Sequence, residues 1–209
     1  MRRDLEDSYR KMAAMLTLAV REDRLCSVLI ASALRNEGAS VITLQVGILL
    51  AKHYGLRPLI IEMNFRKPRL LKKFGLDPKR TFFAVSEGLI SPCDAIQSHS
   101  SGVDFVAAGR RREIPRQDPA PTLNRIVEQG RLNHNIILID APPILEDGSL
   151  PTIAPIIPRM ILVVRAGKTS TDVLQRARNE LDQWQVSLVG AVLNKQKRYL
   201  PRWIERLVQ

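Results

Sequence analysis

Ser27-Val28-Leu29-Ile30-Ala31-Ser32-Ala33-Leu34-Arg35-Asn36-Glu37-Gly38-Ala39-Ser40 is the stretch whose reading decides the fold. Residues 27–31 are a short unbroken apolar run, which reads as a strand buried on both faces. The polar residues up to Gly38 read as a turn, and residues 40–54 carry apolar side chains at helical period. A turn between a strand's carboxyl end and a helix's amino end presents free backbone amides to whatever sits above it, a favourable setting for an anion.

The same alternation continues in the rest of the chain. Apolar runs at 58–62, 103–107, 135–139, 160–164 and 187–192 read as further buried parallel strands. Helical period recurs at 8–20, 121–129 and 170–184, with Ser170 placed to cap the last. This pattern predicts an α/β fold: a doubly wound, mainly parallel sheet with helices on both faces, as a single domain over residues 1–209. Ligands of such sheets sit at the strands' carboxyl ends, so the loops 32–40, 63–68, 140–143 and 165–169 should converge. There is no internal repeat, and the one stretch of shifted composition is 109–121, rich in Arg and Pro.

Three later segments add to the first. The second strand runs into Glu62-Met63-Asn64-Phe65-Arg66-Lys67-Pro68, a later one ends Ile139-Asp140-Ala141-Pro142-Pro143, and the last ends Val192-Leu193-Asn194. Together with Arg10 near the start, Phe74-Gly75-Leu76, and Val163-Val164-Arg165-Ala166-Gly167-Lys168-Thr169, their order and spacing resemble the cytoplasmic domain of bacterial tyrosine kinases (BY-kinases). Those belong with the deviant Walker ATPases, and the resemblance covers nearly the whole chain. It implies a P-loop NTPase-like fold, and a residual nucleotide site whose retained residues are Gly38, Ser40, Asp140 and Asn194.

Against that family the catalytic positions are changed. The P-loop lysine falls on Ala39, and the preceding loop glycine on Asn36, which should reduce backbone freedom there. The two aspartates after the second strand fall on Glu62 and Asn64. In the N-terminal oligomerisation motif the glutamate falls on Asp7 and the second arginine on Ala13, leaving Arg10. The C-terminal tyrosine cluster is replaced by a tail with one tyrosine, Tyr199. Phosphoryl transfer depends on positioning and on charge stabilisation by lysine and metal, and each ~1.4 kcal/mol lost costs a factor of ten. The resemblance therefore implies no catalytic residues and no metal site here, with ATP or ADP bound weakly or not at all and magnesium not held.

Several of these residues carry two readings. Gly38 with Ser40 reads either as an ordinary helix start, with Ser40 or nearby polar groups capping it, or as what remains of a phosphate site. Arg35 is a candidate substitute for the lysine. Asp140 either fixes the turn before Ala141-Pro142-Pro143 or faces a metal. Gly167-Lys168-Thr169 imitates the end of a Walker A motif, but Leu162 stands where its first glycine belongs.

Lys and Arg number 32 against 21 Asp and Glu, a net charge of +11 that favours an acidic partner or an anionic surface. Residues 66–80 alone hold seven basic residues and one acid, and Arg110, Arg111, Arg112 and Arg116 form a second group. No run approaches the ~20 apolar residues of a spanning helix, and the start has no secretory pattern. Two cysteines, Cys26 and Cys93, and three histidines offer no disulfide framework or metal spacing, which suits a cytoplasmic chain.

By resemblance, the process is export and chain-length control of an exopolysaccharide or capsule, and the partner an inner-membrane polysaccharide co-polymerase. The expectation is a catalytically inactive, BY-kinase-like regulatory or scaffolding protein. It would be a chain separate from that partner, peripheral at the inner membrane through it. It would be a monomer or small oligomer rather than a closed ring, with no nucleic-acid role. The rival is a working ATPase or tyrosine autokinase in which Arg35 and Glu62 compensate. A third reading is a basic module that binds an anionic polymer.

Overall fold

The computed structural model describes residues 2–22, 27–110 and 118–196. In chain order these form α1 (Arg2–Arg21), β1 (Ser27–Ser32), α2 (Ala39–Tyr54), β2 (Pro58–Glu62), α3 (Leu70–Phe74), α4 (Phe82–Ser86), α5 (Pro92–Ala95), β3 (Gln97–Ser98), β4 (Asp104–Val106), α6 (Ala120–Arg131), β5 (Ile136–Asp140), α7 (Leu150–Ile153), β6 (Arg159–Arg165), α8 (Thr171–Gln183) and β7 (Ser187–Asn194). The strands make one sheet in the order β3-β4-β2-β5-β1-β6-β7. All neighbours are parallel except β3 with β4.

The order follows from burial. Every residue of β1, β2 and β5 is buried, as continuous apolar runs require when helices cover both faces. Successive side chains alternate between two cores. Ile30, Ile60 and Leu138 pack under α1 and α2 with Met12, Leu16, Val46 and Leu50. Leu29, Leu59, Ile61 and Ile137 pack under α6 and α8 with Leu123, Ile126, Ala177 and Leu181. α2 is apolar on most sides because it lies between the sheet and α1. Ser170 caps α8, its hydroxyl accepting from the Val173 amide, as its place in the sequence suggests.

The differences from the sequence reading have physical causes. β1, β5, β6 and β7 run past their apolar residues to Ser32, Asp140, Arg165 and Asn194. There the ladder continues through pairs such as Glu62 with Asp140 and Arg165 with Asn194, although hydropathy has already changed. β7, expected to be buried, is instead the edge strand, and its Leu193 is 58% exposed. β4 is shorter than the expected 103–107. β3 and the one-turn helices α3, α4, α5 and α7 are too short for any periodicity to announce. No described helix is long and apolar enough to cross a membrane.

Candidate functional site

The loop from β1 to α2 is held from several sides. Ser32 donates its hydroxyl to the Leu34 carbonyl at 2.8 Å, and the Leu34 amide donates to Glu37 Oε2 at 3.0 Å. The Thr169 hydroxyl donates to Glu37 Oε1. From the end of β7, Asn194 Nδ2 donates to the Glu37 carbonyl at 2.8 Å, and Lys195 Nζ to the Asn36 carbonyl at 2.7 Å. Gly38 has φ 111°, and a Cβ there would collide with Asn194 Nδ2, so both backbone conformation and space demand glycine. Asn36 corrects an expectation. Its φ is 64°, the left-handed region that asparagine tolerates better than most residues, so the loop keeps a glycine-like bend without glycine.

α2 begins at Ala39 with Gly38 as its N-cap, and no side chain caps it. Ser40 is therefore not a cap; its hydroxyl instead hydrogen-bonds Asp140. Asp140 ends β5 beside Ile30 and Glu62 and is 4% exposed. Its Oδ1 has no partner among the described residues. Burial pushes its pKa up to about 7, and the Glu62 charge adds to that rise. The Ser40 hydrogen bond and, more weakly, the Arg69 charge oppose it.

Glu62 has a different role. It is 1% exposed, and Oε1 accepts from the Arg69 amide at 2.6 Å and the Leu70 amide at 3.2 Å. Oε2 accepts from the Ala108 amide at 3.1 Å. Burial raises its pKa against those bonds. The carboxylate thus ties β2 to the start of α3 and to the end of β4, and is taken up by backbone. Asn64, two residues on, lines the cavity described next and accepts from the Lys67 amide at 3.2 Å.

Above the loop lies a cavity of about 420 Å³. Gly38, Ala39, Ser40 and Asn194 line it, with Asn64, Arg66, Lys67 and Arg69 from the loop after β2, Ala141 and Pro143 after β5, and Lys195 after β7. Gly38, Ser40 and Asn194 are thus brought together, and Asp140 lies beside Ser40 and Ala141. The loop after β6 reaches the site indirectly, through Thr169 on Glu37, so Gly167-Lys168-Thr169 is a brace. Arg35 pairs with Glu146 at 2.6 Å and Arg66 with Asp147 at 3.3 Å. Lys67 Nζ donates to Asn36 Oδ1 at 3.4 Å.

Glu37 and Lys195 were not singled out from sequence. The first was legible as the glutamate of the family's Gly-Glu-Gly; Lys195 carried no signal beyond following Asn194. Arg111, Arg112, Arg116 and Tyr199 lie outside the described residues, as does the side chain of Asp7. Among the described residues no three His, Cys, Asp or Glu side chains gather as a metal site. A magnesium nucleotide fits this donor set in part: Ser40 and the unpartnered Asp140 oxygen suit a cation, whereas Glu62 is consumed and Ala39 offers no charge.

The sheet and the loop from β1 to α2 define a P-loop NTPase-like fold. No family model matches the chain. It is 25% identical over 197 residues to tyrosine-protein kinase YwqD of Bacillus subtilis, covering 91% of this chain and 81% of that protein. It is 25% identical over 190 residues to the succinoglycan biosynthesis transport protein ExoP of Rhizobium meliloti, covering 88% of this chain and 24% of ExoP. The kinase domain of the Escherichia coli tyrosine kinase ETK superposes with a TM-score of 0.80 at 20% identity, covering 92% of this chain and 76% of that one. In sequence and fold the chain is similar to the bacterial tyrosine kinases, the BY-kinase family.

Proposed function

We propose that this chain is a non-catalytic, BY-kinase-like regulatory partner of a membrane polysaccharide co-polymerase, acting in exopolysaccharide or capsule biosynthesis and export. The observation that carries the reading is Ala39 at the first position of α2, directly under the cavity, with no lysine on that turn. The methyl group supplies neither charge nor donor where a transferred phosphoryl group would need both. The proposed compensations also have other partners: Arg35 is bound to Glu146, and Glu62 to three backbone amides. Relatives whose names speak of tyrosine kinases and of succinoglycan transport support the process and the type of partner. In this reading the protein works in the cytoplasm and reaches the inner membrane through its partner.

The test is phosphotyrosine formation by purified protein given ATP and Mg²⁺. None is expected above an Asp140→Asn control. Phosphotyrosine in the wild type but not in that control overturns the reading.

A further inference from the structure

Among the described residues the sheet ends at β7, with no strand on its outer side. Exposed edges are usually blunted by charge or proline, because their unpaired backbone groups are a template for another strand. Residues 184–194 carry neither charge nor proline, although the whole chain stands at +11. Leu188, Val189 and Leu193 are exposed along this edge. Its one irregularity is a bulge that leaves Val189 unpaired between Leu188 and Gly190; from Gly190 to Asn194 the ladder is regular. At the other edge β3 has only two residues, too few to receive a strand of this length.

The ladder fixes which groups face outward. The Asn194 carbonyl accepts from the Ala166 amide, on the β6 side. Backbone groups of successive residues point to opposite sides of a strand, so those of Ala191 and Leu193 point away from β6. The side chains of these two residues share one face, beside Leu162 and Val164 of the core under α6 and α8. Leu193 nevertheless stays exposed there, since α8 covers β6 more fully than β7.

We propose that β7 pairs antiparallel with β7 of a second copy, about a two-fold axis at Val192, so that the chain dimerises through one continuous sheet. In that register Ala191 of each copy lies opposite Leu193 of the other. The two exchange backbone hydrogen bonds, and the small side chain leaves room for the large one. Each Lys195 lies opposite an exposed Val189, and the two lysines stand ~20 Å apart at ~3.3 Å per residue, beyond a Debye length of about 8 Å. A neutral edge is where two chains of the same high charge can meet, and this one is complementary to itself in both backbone and side chains. The contact uses the same patch on both copies, and it closes at two because β3 cannot receive β7.

The test is light scattering of the full chain across a dilution series from submillimolar to submicromolar concentration. A dimer is expected at the upper end, dissociating on dilution. Leu193→Lys should raise its dissociation constant about ten-fold or more, because two apolar cross-strand contacts are lost and two charges enter the contact. Ala191→Pro should do the same, since it removes an outward amide and no bond to β6. Leu132→Lys, at an exposed position just after α6, should leave the constant unchanged. Unchanged thermal unfolding of Leu193→Lys, compared with wild type at a concentration where both are monomers, shows that the loss is local. A wild type that stays monomeric at submillimolar concentration has its edge covered by something else, and overturns the proposal. A dimer that both Leu193→Lys and Ala191→Pro leave intact, or that Leu132→Lys breaks equally, overturns it as well.

Discussion

At the scale of the residue, Asp140 makes the site felt in the stability of the whole fold, because the fold holds its proton. Its pKa is about 7 in the folded chain, against ~3.9 in an unfolded one. A raised value means that the folded state binds the proton more tightly. The stabilisation is full below about pH 4 and is lost as pH rises through about 7. Between pH 5 and pH 8 this should cost the wild type on the order of a few kcal/mol. Asp140→Asn removes that dependence. In urea unfolding, the stability difference between variant and wild type should move in the variant's favour as pH rises from 5 to 8. A difference that stays constant across that range would show that Asp140 titrates as an ordinary surface carboxylate.

At the scale of the element, α1 shows how the same residue position can change role. Resemblance to the family sets Ala13 where an oligomerisation arginine stands. Here Ala13 is 0% exposed and packs with Tyr9, Met12 and Leu16 against α2. An arginine introduced there would have to bury its guanidinium or lift the helix. Ala13→Arg should therefore destabilise the fold, by several kcal/mol, rather than restore an intersubunit contact. Light scattering should find the wild type as a monomer or small oligomer, and the variant no larger. A stable closed ring in either would contradict this account of α1.

At the scale of the whole molecule, the net charge of +11 and the basic rim of the cavity decide which surroundings suit the protein. Adsorption to anionic lipid at ~1 kcal/mol per basic residue is screened beyond a Debye length of about 8 Å, so salt removes it. Docking on a co-polymerase segment would keep an apolar, salt-resistant part. The protein should therefore fractionate with membranes when the co-polymerase is present, and remain there through a moderate salt wash. Reversing the charge at Arg110, Arg111 and Arg112 should release it without unfolding it. Equal binding of the wild type to bare anionic vesicles, or retention of the reversed variant, would exclude partner docking through these arginines.

Sequence by itself determined the parallel strands, the large helices and the layered α/β architecture. An unbroken apolar run such as residues 58–61 has to be covered on both faces, whatever its neighbours turn out to be. It also determined that Ala39 stands at the start of α2, since strand, turn and helix follow one another along the chain. Tertiary structure alone decided what the polar residues at the strand ends do. Glu62 meets the amide of Ala108, 46 residues away, because β2 lies beside β4. Lys195 meets Asn36, 159 residues away, because β7 brings its carboxyl end round to the loop after β1. Asn36 has a glycine-like φ and accepts contacts there from Lys67 and Lys195. Burial is a local property that hydropathy records, whereas a hydrogen bond between distant residues depends on the order of strands in the sheet, which no single segment encodes.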